Sequence, residues 1–126
     1  MVDDYPIARE TMASGFNEAG HQVYQHIAGA TALLRILRKR PDAVIVHLVM
    51  SEMDGVALCR EIRSHAELSD TVVIIVSGVE NDYWAKHAEE EGASALTLKP
   101  MDRAGVAEIE AIVRNAKEAM IQPTAA

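Results

Sequence analysis

Five side chains capable of chemistry stand where strand-like runs end. Asp3 and Asp4 follow Met1-Val2, His47 closes Ala43-Val44-Ile45-Val46, Ser77 closes Val72 to Val76, and Lys99 follows Ala95-Leu96-Thr97-Leu98. In an open parallel sheet the carboxyl ends of the strands border the crevice where ligands bind. Two carboxylates, an imidazole, a hydroxyl and an ammonium are therefore expected at one edge. One histidine with two carboxylates is a sparse set for a dedicated zinc site, and an imidazole hydrogen-bonded in a closed pocket is the simpler reading.

The elements that must position these residues alternate along the chain. Pro6 is suited to open a first helix with a Met12, Phe16 and Ala19 stripe, stopped by Gly20. Val23 to His26 reads as a short edge strand, and Ala30, Leu33, Leu34 and Leu37 as the inward face of a second helix ended by Pro41. Val56, Cys59 and Ile62 mark a third helix after the loop Met50-Ser51-Glu52-Met53-Asp54-Gly55. Val72-Val73-Ile74-Ile75-Val76 is all β-branched, as in a strand buried on both faces. A fourth helix spans about Asp82 to Glu91, with Gly92 after it. Val106, Ile109, Val113, Ala116 and Met120 give the last helix its apolar stripe. Five strands and five helices joined by short connections predict a three-layer α/β sandwich around a parallel sheet. The first strand is expected to be unusually short.

At 126 residues the chain makes one domain, residues 1–121, with 122–126 as a tail or the start of a linker. The net charge of −7 argues against general nucleic-acid or anionic-membrane binding. The basic cluster Arg35, Arg38, Lys39 and Arg40 reads as a solvated helix end. One cysteine, Cys59 on an apolar stripe, precludes an internal disulfide and reads as a core residue in a reducing cytoplasm. His21, His26, His65 and His87 are scattered and read as solvated.

The ordered set Val2-Asp3-Asp4, Pro6-x-x-Arg9-x-x-Met12, Gly29-x-x-Ala32-Leu33, Met50-x-x-Met53-Asp54-Gly55, Ser77-Gly78, Gly92-Ala93 and Lys99-Pro100 resembles the receiver domain of two-component response regulators. The resemblance implies a flavodoxin-like sandwich with strand order 2-1-3-4-5. It also implies a signalling role in a phosphorelay and no enzymatic activity. By position, Asp3 and Asp4 match the acidic pair that helps hold Mg²⁺ in the family. Ser77 matches the switch hydroxyl and Lys99 the phosphate-contact lysine. His47 stands at the phosphoacceptor position, where the family has aspartate.

Two further departures accompany His47. Ser51 replaces the usual loop proline, and Leu96 a frequent aromatic. An acyl phosphate needs a carboxylate, and imidazole replaces a hard oxygen ligand of Mg²⁺ poorly. With neutral His47, the group Asp3, Asp4 and Lys99 carries a formal charge of −1, a weak lure for a dication. His47 is expected to bond Asp3 or Asp4 and hold the pocket shut, with no cofactor. The expected function is an atypical receiver, unphosphorylated at the usual site, acting as a cytoplasmic protein-interaction module. Its partner would be a histidine kinase, an output protein or a second copy, through the fourth helix, fifth strand and fifth helix. The alternative is a module still regulated by metal, or by phosphorylation at His47 or Asp54, although Asp54-Gly55 reads more simply as a turn or helix cap.

Overall fold

A computed structural model of the chain describes residues 1–27, 29–79, 82–99 and 102–121. The predicted tail 122–126 and Pro100 of the lysine–proline pair lie outside them. The described elements are α1 (Pro6–Glu18), α2 (Gly29–Lys39), β1 (Ala43–His47), α3 (Gly55–Arg63), β2 (Val72–Ser77), α4 (Asp82–Glu90), β3 (Ala95–Leu98) and α5 (Arg103–Ile121), with a 3₁₀ turn at Ala66–Leu68.

The sheet is parallel with order β1-β2-β3. This corrects the expected five strands in order 2-1-3-4-5. The segment at Val2 lies beside β1 and the segment at His26 beside Val2, but each makes only a single bridge, Val2 to Val46 and Val2 to His26. A ladder needs consecutive paired residues. Here only Met1 and Val2 precede a turn closed by the Tyr5 amide donating to Asp3 Oδ1 at 2.9 Å.

Helices cover both faces, giving the three layers. One core cluster joins Ala32, Ile36, Val44, Val46, Cys59, Ile62, Val73 and Ile75 beneath α2 and α3, and Ala88 of α4 joins it. The other joins Met12, Phe16, Ile45, Val72, Ile74, Val106 and Ile109 beneath α1 and α5. All of β2 is buried, as its β-branched run requires.

Helix α2 keeps Leu33 and Leu37 of the expected stripe against the core but turns its other two members outward. Gly29, Ala32 and Ile36 face inward, whereas Ala30 is exposed and Leu34 is 69% exposed. Small residues at Gly29 and Ala32 let α2 approach closely; a Cβ on Gly29 would lie 3.2 Å from Met53 Sδ. The α5 stripe holds at Val106 and Ile109, but Met120 is 45% exposed near the helix end.

Candidate functional site

Asp3, His47 and Lys99 converge at the carboxyl edge of the sheet. The Asp3 side chain is fully buried. Its Oδ1 accepts from the Tyr5 amide, and its Oδ2 accepts from Lys99 Nζ at 3.3 Å. The pairing is rational: burying a carboxylate is costly unless a cation and hydrogen bonds compensate it. Arg9 Nη1, from the first turns of α1, donates to the Asp3 carbonyl at 3.1 Å and fixes the backbone here.

His47 makes its hydrogen bond to the backbone, and the expected link to Asp3 or Asp4 is present only as a longer ion-pair contact with Asp3. Its Nδ1 lies 2.8 Å from the Val49 carbonyl and 3.8 Å from Asp3 Oδ1. A carbonyl can only accept, so Nδ1 carries the proton, and in the neutral ring Nε2 keeps the lone pair. Gly55 packs against the same backbone: a Cβ there would sit 2.7 Å from the His47 carbonyl oxygen. The amide of Gly55 donates to the Leu48 carbonyl at 2.8 Å, tying the start of α3 to the end of β1.

Asp4 is engaged elsewhere. Its Oδ2 accepts from both the amide and the hydroxyl of Ser51, each at 2.8 Å. Those two bonds, the amide first, hold the Asp4 carboxyl below its ordinary value. Ser77 is buried at the end of β2, and its hydroxyl donates to the Val79 carbonyl at 2.9 Å rather than reaching toward Asp3. Its own carbonyl accepts from the Lys99 amide at 2.7 Å, so β2 and β3 place Ser77 and Lys99 side by side. Asp54 caps α3, accepting from the Ala57 amide at 2.7 Å. Cys59 is a core residue whose thiol burial pushes its pKa up.

Sequence reasoning missed the Val49 carbonyl and the Tyr5 amide, because a backbone group has no sequence signature. It also missed the Asp4–Ser51 bond, although Ser51 had been singled out as unusual. His21, expected to be solvated, pairs with Glu110 at 2.8 Å and remains half exposed.

Octahedral oxygen coordination is what magnesium demands. The Asp3 oxygens are taken by an amide and an ammonium, Asp4 Oδ2 by Ser51, and the third side chain is an imidazole. This donor set does not fit magnesium. Among the described residues no cluster of His, Cys, Asp or Glu is placed to hold a metal ion.

A parallel sheet flanked by helices on both faces, with an acidic residue, a lysine and a hydroxyl meeting at its carboxyl edge, defines a flavodoxin-like receiver fold. The match to the response regulator receiver domain over residues 1–112 agrees, and the chain belongs to that family, the receivers of two-component signalling. It is 28% identical over 102 residues to PilH of Pseudomonas aeruginosa, covering 81% of this chain and 84% of PilH. It is 36% identical over 100 residues to the response regulator MprA of Mycobacterium sp. (strain KMS), covering 79% of this chain but 43% of MprA. Of the gliding motility regulatory protein of Myxococcus xanthus it spans only 13%. Among solved structures, the signal receiver domain of NarL from Mycobacterium tuberculosis superposes with a TM-score of 0.79 at 29% identity, covering 92% of each chain. The chemotaxis protein CheY4 of Vibrio cholerae shares the fold, with a TM-score of 0.83 at 20% identity, covering 89% of this chain and 93% of that one.

Proposed function

We propose that this receiver is silent as a phosphoacceptor and works as a protein-interaction module, not as an enzyme, in the cytoplasm. The observation that carries this reading is the His47 ring at the carboxyl end of β1, held by the Val49 carbonyl where acyl-phosphate chemistry would need a carboxylate. The Asp4–Ser51 bond supports it by occupying a second acidic group. Among the described residues no helix is long and apolar enough to cross a membrane.

The contact surface we favour is α4, β3 and α5. Tyr83 is 71% exposed on α4, while its neighbour Trp84 packs against the core and meets it edge-on at 5.4 Å between ring centres. Leu98 is half exposed on β3, and Lys86 and Glu89 of α4 and Arg103 and Glu108 of α5 are exposed and of mixed charge. Such a surface, with an aromatic anchor and a polar rim, suits a kinase, an output protein or a second copy better than DNA.

A second reading keeps regulation at His47, favoured by the Nε2 lone pair, which could accept a phosphoryl group. One experiment decides between them. The chain is incubated with acetyl phosphate and Mg²⁺ and its intact mass measured, alongside His47→Asp. No phosphate on the native chain and phosphate on the variant is the expected result. An acid-labile phosphate on the native chain, mapped to His47, favours the second reading.

A further inference from the structure

Two exposed rows of residues on the α2–α3–α4 layer share one spacing. Ile27, Thr31, Leu34 and Arg38 run from just before α2 to near its end. Val79, Tyr83, Lys86 and Glu90 run from just before α4 to its end. Spacings of three and four keep helical side chains on one face. That face lies opposite the residues each helix buries, Gly29, Ala32 and Ile36 of α2 and Ala88 of α4. Ile27, Leu34, Val79 and Tyr83 are large apolar side chains left in water. Among the described residues, neither Arg38 nor Glu90 has an ionic partner.

The two helices are also opposite in charge. Helix α2 carries Arg35, Arg38 and Lys39 and no carboxylate, whereas α4 carries Asp82, Glu89 and Glu90 against Lys86. Helix α3 lies between them and packs against both. Its Arg60 donates to both carboxylate oxygens of Glu91, at 2.9 and 3.1 Å, so those two charges are satisfied within one copy. The three helices are crossovers on one face of a parallel sheet, so they run in one direction. Ile27 and Val79 therefore stand at the same end of the layer, and Arg38 and Glu90 at the other.

We propose that this layer binds a second copy of the chain about a two-fold axis running along α3. Such a rotation lays α2 of one copy on α4 of the other, in the same direction and at the same height, and α3 on α3. A two-fold contact is made twice and requires a self-complementary surface. The equal spacing of the two rows provides it. Ile27 meets the partner's Val79, Thr31 meets the partner's Tyr83, and Arg38 meets the partner's Glu90. Leu34 lies against the aliphatic stem of the partner's Lys86, whose ammonium stays in water. At the axis, Ala57 is small enough for close approach, and Glu61 opposes its own counterpart. The layer shares only α4 with the surface favoured above, so a copy held in the dimer withholds α4 from other partners.

The test is sedimentation velocity on the 126-residue chain up to millimolar concentration, where a monomer–dimer equilibrium is expected. Arg38→Glu and Glu90→Arg should each weaken the dimer by about tenfold, as like charges set against each other do. Combining the two substitutions in one chain should restore it. Mixing the two single variants should do the same, because each mixed pair regains both ionic contacts. Glu61→Gln should tighten the dimer by removing the repulsion at the axis. Circular dichroism checks that every variant is folded. A chain still monomeric at millimolar concentration would overturn the proposal. So would a dimer indifferent to the single reversals, or one that the double exchange fails to restore. A dimer lost in Arg103→Glu but kept in Arg38→Glu would put the contact on α4, β3 and α5 instead.

Discussion

Strand β2 and the polar edge of the sheet are held by different kinds of force. Every residue of β2 is buried, and its side chains contribute by area and fit, so one β-branched residue could substitute for another at modest cost. At the edge, each group is held by one or two particular bonds: Asp3 by Tyr5 and Lys99, Asp4 by Ser51, His47 by Val49. The interior therefore governs whether the molecule folds. The edge governs what it can do, and apart from the buried Asp3–Lys99 pair it can be rewritten at little cost to the fold.

The largest expected effect follows from the interior. Ile75→Ala, at a position with no exposure, should cost about 2–5 kcal/mol through lost burial and a residual cavity. Urea denaturation reads it. Ser77→Ala at the same strand's end should cost less, because it removes only the hydroxyl's two bonds with Val79, one donated to its carbonyl and one accepted from its amide. Equal losses would break the distinction between the two regions.

Gly55→Ala tests the seam between them. Its new methyl group would meet the backbone oxygen of His47, which cannot rotate away. About 1–3 kcal/mol of destabilisation is expected from the overpacking. A shift of the His47 ring signals by NMR should accompany it, because the loop of the site must move. Stability loss with unchanged His47 signals would show that the seam does not transmit to the site.

These contrasts explain which parts of the molecule were legible in advance. The β-branched run of β2, the stop at Gly92 and the Cys59 stripe are local patterns, and each is where the sequence places it. Gly92 has a φ of 95°, which glycine tolerates. The outward turn of Ala30 and Leu34 on α2 was not legible, because Ala30–Leu34 and Ala32–Ile36 share one spacing. Only the close approach to Met53 selects the face with the smaller residues. The five-strand expectation failed because pairing depends on both partners: Val23 to His26 cannot form a ladder against a neighbour that supplies one bridging residue. In the site, the side chains were legible by position, but their partners were not. Ser51 and Asp4 are 47 positions apart, and the Val49 carbonyl is backbone.

Asp54→Ala should cost about 1 kcal/mol, the usual effect of losing an N-cap. Thermal denaturation measures it. Asp54→Asn, which still accepts from the Ala57 amide, should recover most of the loss. If Asn fails to rescue, the carboxylate does something other than cap α3, and its candidacy as a modified residue strengthens.

The smallest effect concerns acid. The Asp4 carboxyl sits below its ordinary value of 3.8, chiefly because the Ser51 amide donates to it and then because the hydroxyl does. A carboxyl whose pKa is lower folded than unfolded stabilises the fold fully above the unfolded value. That contribution fades as pH falls through the lower, folded value. Stability should therefore drop slightly more steeply below pH 3.8 in the native chain than in Ser51→Ala, which retains the amide bond and loses the hydroxyl. Because Asp4 is largely solvated the difference should be a few tenths of a kcal/mol, as for exposed polar pairs. Acid titration of the urea midpoint resolves it, provided both proteins are followed by the same probe. Identical slopes would mean that the Ser51 hydroxyl spends its time in water, leaving the amide alone to hold Asp4.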